Sequence, residues 1–269
     1  MRPLTVAEAM ANWTIRIIAW TILFFLLAPL IILIGASFST LNYVAFPPKG
    51  LTLNWYVRFY EDPVFFNSFL LSLQLALAAA VTASLLGFPA AYILVRKRFP
   101  GREAVLNFFL APLLVPQIIL GVSLLSFLTM LGLATTFAGL LAAHTISVVP
   151  YVIRTVTAAL VNGDPRMEEA AADLGATRWE VLALVVAPVV KGGLIAGTLF
   201  AFIMSWINVE ISIFLGVTGS YTLPVILFNF MEYSITTIVV AAASIAILVS
   251  VFMVLVVDRV VGITSISKV

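Results

Sequence analysis

Six apolar runs, each long enough to cross a bilayer, dictate what this chain can become. They fall at about 14–38, 65–95, 104–131, 138–160, 185–215 and 235–257. A hydrocarbon core of ~30 Å takes roughly 20 residues of helix to span. Inside lipid, every backbone N–H and C=O must be satisfied within a helix or a closed barrel, and these runs are too long for barrel strands. The expectation is an all-α integral membrane protein of six transmembrane helices, with one membrane domain over residues 1–269. A mean hydropathy of +1.18, with 63% apolar and 10% charged residues, excludes a soluble domain. The first run follows Arg2 and Arg16 and exceeds the apolar region of a secretory signal. It is read as a retained helix, although Gly35-Ala36-Ser37 could mimic a cleavage site.

The few cations set the orientation. With a cytoplasmic N-terminus, Arg2, Arg16, Arg96, Lys97, Arg98, Arg102, Arg154, Arg166, Arg178, Lys191, Arg259 and Lys268 fall inside, and only Lys49 and Arg58 outside. By the positive-inside rule both termini are then cytoplasmic. The turn Arg96 to Arg102 is read as a topology anchor near anionic headgroups. Externally, the segment 39–64 is rich in Pro and aromatic residues, and Asn54-Trp55-Tyr56 through Tyr60 predicts a short interfacial helix near 54–61. The second external loop, Gly132 to Phe137, is too short to capture a solute.

The residues exclude most enzymes. There are no cysteines and a single histidine, His144, with no carboxylate close in sequence, so no metal site is expected. An interhelical hydrogen bond is the favoured role for this imidazole. No Gly-rich phosphate loop is present, so the chain does not hydrolyse nucleotide by itself. Ser68, Ser72, Ser84, Ser123 and Ser126 lack a companion base and are read as helix-packing residues. No cofactor and no nucleic-acid partner is expected. Pro29, Pro89, Pro112, Pro116, Pro150 and Pro188 lie in or near the runs, and each invites a kink. Glu210 is the one acid deep in a late run, beside Asn208 and Ser212. An intramembrane carboxylate belongs against a polar cavity or partner, so Ser205, Asn208 and Glu210 are candidate pathway residues.

The densest island of charge runs from Glu168 to Glu180, between the fourth and fifth runs. Asp164-Pro165 ends one helix and starts another, because the residue before proline leaves the helical region and proline suits a first turn. Arg166 to Leu174 is Ala- and Glu-rich and strongly helical, and Gly175 is placed to cap it. Thr177 with Glu180 three residues on forms a capping box for a second short helix. Two short surface helices hinged at a glycine are thus expected in a loop at about 161–184.

Glu169-Ala170-Ala171, with Gly175 six residues after Glu169, then nine residues, then Val185-Val186-Ala187-Pro188, resembles the EAA loop of ATP-binding-cassette (ABC) importer permeases. Val185 and Ala187 stand where that signature usually has Ile and Leu. The resemblance covers nearly the whole chain and implies the type I importer (MetI-like) permease fold in a bacterial inner membrane. It also implies docking of the loop through Glu169, Ala170, Ala171, Gly175, Arg178 and Pro188 on ATPase subunits, two per transporter. Its other implied partners are a second permease chain, an external substrate-binding protein and the lipid bilayer. Leu53-Asn54-Trp55-Tyr56, Asn67-Ser68 and the stretch Ser205 to Pro224 further resemble the second permease of spermidine/putrescine-type importers. That group commonly has an acidic pair where this chain has Ile207 and Asn208, and it also serves opines, phosphonates, thiamine and iron. The rival classes are an ion-gradient-driven transporter or channel, which predicts buried charge pairs and internal repeats, and an intramembrane enzyme. Neither pattern is present in the sequence.

Overall fold

The computed structural model describes residues 6–233 and 236–261. Arg2 and Lys268, on which part of the orientation argument rests, lie outside them. The chain forms helices α1 (Val6–Ala36), α2 (Asn54–Glu61), α3 (Pro63–Arg96), α4 (Arg102–Leu110), α5 (Gln117–Met130) and α6 (Phe137–Asn162). After these come α7 (Arg166–Asp173), α8 (Arg178–Glu180), a π-helical turn (Val181–Val186), α9 (Ala187–Val189), α10 (Lys191–Trp206), α11 (Leu223–Tyr233) and α12 (Thr237–Val261). Four helices are long and apolar enough to cross a membrane, and six spans result if two bent pairs each count as one.

The two bent pairs depart from the expected continuous runs. Over 104–131 the helix breaks after a 3-10 turn at Ala111–Leu113, and α5 leaves at 105° to the first leg. Pro112 and Pro116 bracket the break, and Pro116 is the residue from which α5 starts. Neither proline can donate a backbone bond, so the ladder stops there. Over 185–215 the legs Arg178–Val189 and Lys191–Trp206 meet at 79°, and helix ends at Trp206 rather than near 215. Asn208 explains the early stop: its side-chain Oδ1 accepts the Ile211 N–H at 2.9 Å. A side chain that takes a backbone donor in this way competes with the helical ladder.

The chain divides into two compact units, residues 1–62 with 230–246 and residues 63–229 with 247–269. In the first, α1 is exposed along most of its length, as a lipid-facing helix must be. Helix α2 occupies the residues expected of a short helix near 54–61, burying Trp55 and Phe59. Trp55 Nε1 donates to the Ser39 carbonyl at 2.8 Å, and Tyr56 shares a 2.6 Å bond with Ser37 Oγ. The Thr237 hydroxyl ties the start of α12 to the Leu41 carbonyl at 2.7 Å.

The core of the second unit is α3, α6 and α10, each packed on the other two. Lipid tails supply no hydrophobic drive for helices to associate, so close van der Waals approach must do it. Small residues permit that approach: Ala76, Ala79, Ala80, Ala83 and Gly87 are buried on α3. A Cβ at Gly87 would sit 2.9 Å from the Val152 side chain, and one at Gly197 would sit 2.8 Å from Val152 Cα. Hydroxyl pairs add Thr82–Thr145 at 2.8 Å and Ser84–Thr198 at 2.7 Å. Ser68 and Ser72 are also buried, and Ser72 Oγ accepts the Leu223 N–H at 2.7 Å. Ser123 and Ser126 differ from the packing role expected of them. Both are exposed on α5 and bond back to the carbonyls of Ile119 and Val122.

Gly197→Ala places a methyl against the α6 backbone, which cannot retreat as a side chain can. Overpacking of this kind costs about 1–3 kcal/mol. The melting temperature of the purified protein in detergent, followed by a thermal-shift assay, is expected to fall.

Candidate functional site

Two regions of the second unit carry chemistry: the loop between α6 and α10, and a cavity at the ends of the broken helices. In the loop, Asp164 Oδ1 accepts the Arg166 N–H at 2.9 Å and opens α7. Gly175, at φ +92°, closes it. Ala176 N–H bonds the Ala171 carbonyl at 3.1 Å and Gly175 N–H that of Ala172 at 2.9 Å, the paired pattern of a Schellman cap. Thr177 and Glu180 form the expected capping box, with the Thr177 N–H donating to Glu180 Oε2 at 2.7 Å and the Glu180 N–H donating to Thr177 Oγ1 at 3.3 Å. The bonds from Thr177 hold the Glu180 carboxyl below its ordinary range. The π turn that follows ends at Val186, two residues before Pro188. A wider turn relieves the clash that a proline ring makes with the carbonyl four residues back.

Glu169, Ala170, Gly175, Arg178 and Pro188 are exposed, and Ala171 is partly so. Alongside them stand three large apolar side chains, Leu174 (90% exposed), Trp179 (79%) and Leu184 (73%).

Sequence reasoning missed how the loop is fastened. Glu168, one residue ahead of the Glu-Ala-Ala stretch, accepts from Arg96 Nε at 2.7 Å and from the Tyr92 hydroxyl at 3.0 Å. Arg96 Nη2 also donates to the Gly163 carbonyl at 3.2 Å. Both members of the ion pair are mostly buried, at 15% and 14% side-chain exposure. The end of α3 is therefore latched to the end of α6 and the start of α7. A run of adjacent basic residues looks like a membrane anchor in sequence, and nothing there separates Arg96 from Lys97 or Arg98.

The cavity, of about 200 Å3, is lined by Gln117, Ser147, Tyr151, Met204, Ile207, Asn208 and Glu210. Two helix breaks deliver its polar groups: Gln117 opens α5, and Asn208 and Glu210 follow the end of α10. Glu210 does not lie inside a helix, as the hydropathy of the run led one to expect; it is exposed in a turn at the cavity. Gly121 lets that turn come close, since a Cβ there would meet the Glu210 carbonyl at 3.0 Å and Ile211 Cα at 3.3 Å. Gln117 Oε1 is buried and has no hydrogen-bond partner among the described residues. Ser205 does not line the cavity. It is buried behind it and bonds His144, the interhelical contact favoured for that histidine. Among the described residues no cluster of three potential metal ligands exists.

The chain belongs to the family described as the binding-protein-dependent transport system inner membrane component, whose model matches residues 83–263. It is 33% identical over 226 residues to the spermidine/putrescine transport system permease protein PotC of Haemophilus influenzae, covering 84% of this chain and 88% of that protein. The putrescine transport system permease protein PotI of Escherichia coli K12 is 33% identical over 227 residues, 82% of this chain and 80% of its own. Among solved structures, a chain of a bacterial ABC transporter that imports the acidic polysaccharide alginate superposes with a TM-score of 0.74. That match covers 97% of this chain and 99% of the other at 20% identity. The MetNI methionine ABC transporter matches at a TM-score of 0.56, covering 71% of this chain and 93% of the other at 20% identity. The fold is that of a type I ABC importer permease, and the protein is a multi-pass transport component of a bacterial inner membrane.

Removing Arg96 leaves Glu168 mostly buried without its cation, at a cost of about 1–3 kcal/mol. Arg96→Ala is expected to raise amide hydrogen exchange across 163–174 while leaving 80–90 protected, as read by mass spectrometry.

Proposed function

We propose that this permease forms half of a pathway for a small polyamine-type cation and is driven by an ATPase subunit docked on residues 166–188. The observation that carries the substrate reading is the cavity lining: Glu210 is its only charged residue, set among the polar side chains of Gln117, Ser147, Tyr151 and Asn208. A carboxylate with amide and hydroxyl oxygens around it suits an alkylammonium group, which donates hydrogen bonds and accepts none. The relatives PotC and PotI are named for spermidine and putrescine transport, which fits this chemistry.

The coupling reading rests on the exposed surface of the loop. Glu169, Ala170, Ala171, Gly175 and Arg178 present a smooth, oriented face that an ATPase groove can accept, with Leu174 and Trp179 buried on docking and Pro188 fixing the turn behind. Two ATP-binding cassette subunits, a second permease chain and an external binding protein complete the importer, and ATP hydrolysis belongs to the cassette subunits. The cations at Arg96, Lys97, Arg98, Arg102, Arg166, Arg178 and Arg259 favour a cytoplasmic loop and cytoplasmic termini. At rest the permease pair opens inward. ATP binding closes the cassette subunits, the loop carries that motion into α6 and α10, and the cavity opens to the binding protein outside.

The test is uptake of radiolabelled putrescine and spermidine by the whole importer reconstituted in liposomes. Glu210→Gln is expected to lower the uptake rate by about tenfold, the effect of roughly 1.4 kcal/mol lost in the pathway. Uptake that survives the change removes Glu210 from the path, and an importer that moves neither amine overturns the substrate reading. Separately, Gly175→Val forces a β-branched residue to a positive φ at a cost of about 1–2 kcal/mol. Loss of the co-purifying ATPase subunit is expected, and unchanged association sinks the docking reading.

A further inference from the structure

We propose that His144 is a positioning residue: its imidazole joins the two sides of the break that follows α10 and so holds the Asn208–Glu210 turn at the cavity. The inference rests on the reading of that cavity as the pathway. His144 sits on α6, fully buried, and does not line the cavity itself. Its Nδ1 lies 2.8 Å from Ser205 Oγ, in the last turn of α10, and its Nε2 lies 3.0 Å from Ser212 Oγ, beyond the break. Ser205 and Ser212 are themselves 4% and 1% exposed.

Counting protons assigns the direction of the chain of bonds. Ser212 has one hydroxyl proton, and its oxygen donates to the Asn208 carbonyl at 3.0 Å. Toward His144 that oxygen must therefore accept, so Nε2 carries the ring proton. Nδ1 is then the acceptor, and the Ser205 hydroxyl donates to it. The result is one unbroken series: Ser205 O–H to Nδ1, Nε2–H to Ser212 Oγ, and Ser212 O–H to the Asn208 carbonyl. Every donor is used once, which is the condition for a buried polar network to be stable. The same Asn208 turns its side chain to the Ile211 N–H at 2.9 Å, which closes the non-helical segment on itself, while Ser205 and Ser212 tie it to α6 on either side. On α6 itself, Ser147 lines the cavity and donates to the His144 carbonyl at 2.9 Å.

An aromatic or aliphatic side chain at 144 fills the space but bonds neither serine. Two buried hydroxyls then lose a partner, and nothing but packing fixes Glu210 relative to Ser147 and Tyr151. The role is specific to the break, because the helical residues of α10 before Ser205 keep their own ladder.

The experiment compares His144→Leu, His144→Gln and Ser212→Ala in the assembled importer in lipid nanodiscs, by hydrogen-exchange mass spectrometry and by putrescine uptake. Loss of one such bond corresponds to about a tenfold rise in opening, so His144→Leu and Ser212→Ala are each expected to speed exchange in 207–213 about tenfold, with 191–204 unchanged. The apparent KM for putrescine rises with them by more than Vmax falls, and His144→Gln, which retains a donor and an acceptor, recovers part of both. If His144→Leu does not assemble, Ser212→Ala decides. Unchanged exchange in 207–213 in an assembled variant overturns the positioning role. Faster exchange with unaltered uptake kinetics leaves the tether standing and refutes instead the reading of the cavity as the pathway.

Discussion

Backbone polar groups have no water to turn to in hydrocarbon, and that constraint governs where this protein can do anything other than hold itself together. Most of the chain obeys it with long helices. Besides the 79° bend between Val189 and Lys191, the exceptions are the break before Gln117 and the segment after Trp206, and these two lie at the same cavity. Each exception is satisfied locally. Asn208 takes up the Ile211 N–H, and Gln117 Nε2 donates to the Pro112 carbonyl at 3.3 Å. Irregular backbone is tolerated in a membrane where it lines a cavity, and there it supplies polar groups that a continuous helix would keep to itself.

The same two helices connect the cavity to the charged loop. α6 carries His144, Ser147 and Tyr151 and ends at Asn162, where the loop begins. α10 begins just after the loop and ends at Trp206, which packs edge-on against Phe69 of α3 at 5.8 Å and stacks on Phe202 at 6.1 Å. The Arg96–Glu168 pair joins the third helix at the loop end. α7 is thus fastened to α3 by that pair, and α6 runs as one helix from the cavity to the loop.

Much of this was legible because the signals are local. The short helix at Asn54–Glu61, the Gly175 cap and the Thr177–Glu180 box each depend on residues within one or two turns of one another. The end of α10 was not legible for a different reason. Val209, Ile211, Ile213, Phe214 and Leu215 are as apolar as the helix before them, and hydropathy does not report where the backbone stops being helical. Ile211 and Leu215 are in fact buried in a cluster with Leu75, Leu124 and Leu140, so the segment is core without being helix. Glu168 and Arg96 are 72 residues apart in sequence, and only the packing of α3 on α6 brings them together.

Glycine-mediated contact between α6 and its neighbours also divides the chain into faces with different freedom to change over generations. At Gly87 and Gly197 an added Cβ crowds Val152, so a heavier residue there costs stability or shifts a helix. The outward side of α1, which meets lipid, can exchange one apolar residue for another at almost no cost. Drift in this protein should consequently run fast on the rim and slowly along the α3–α6–α10 seam, including at positions that touch neither cargo nor partner.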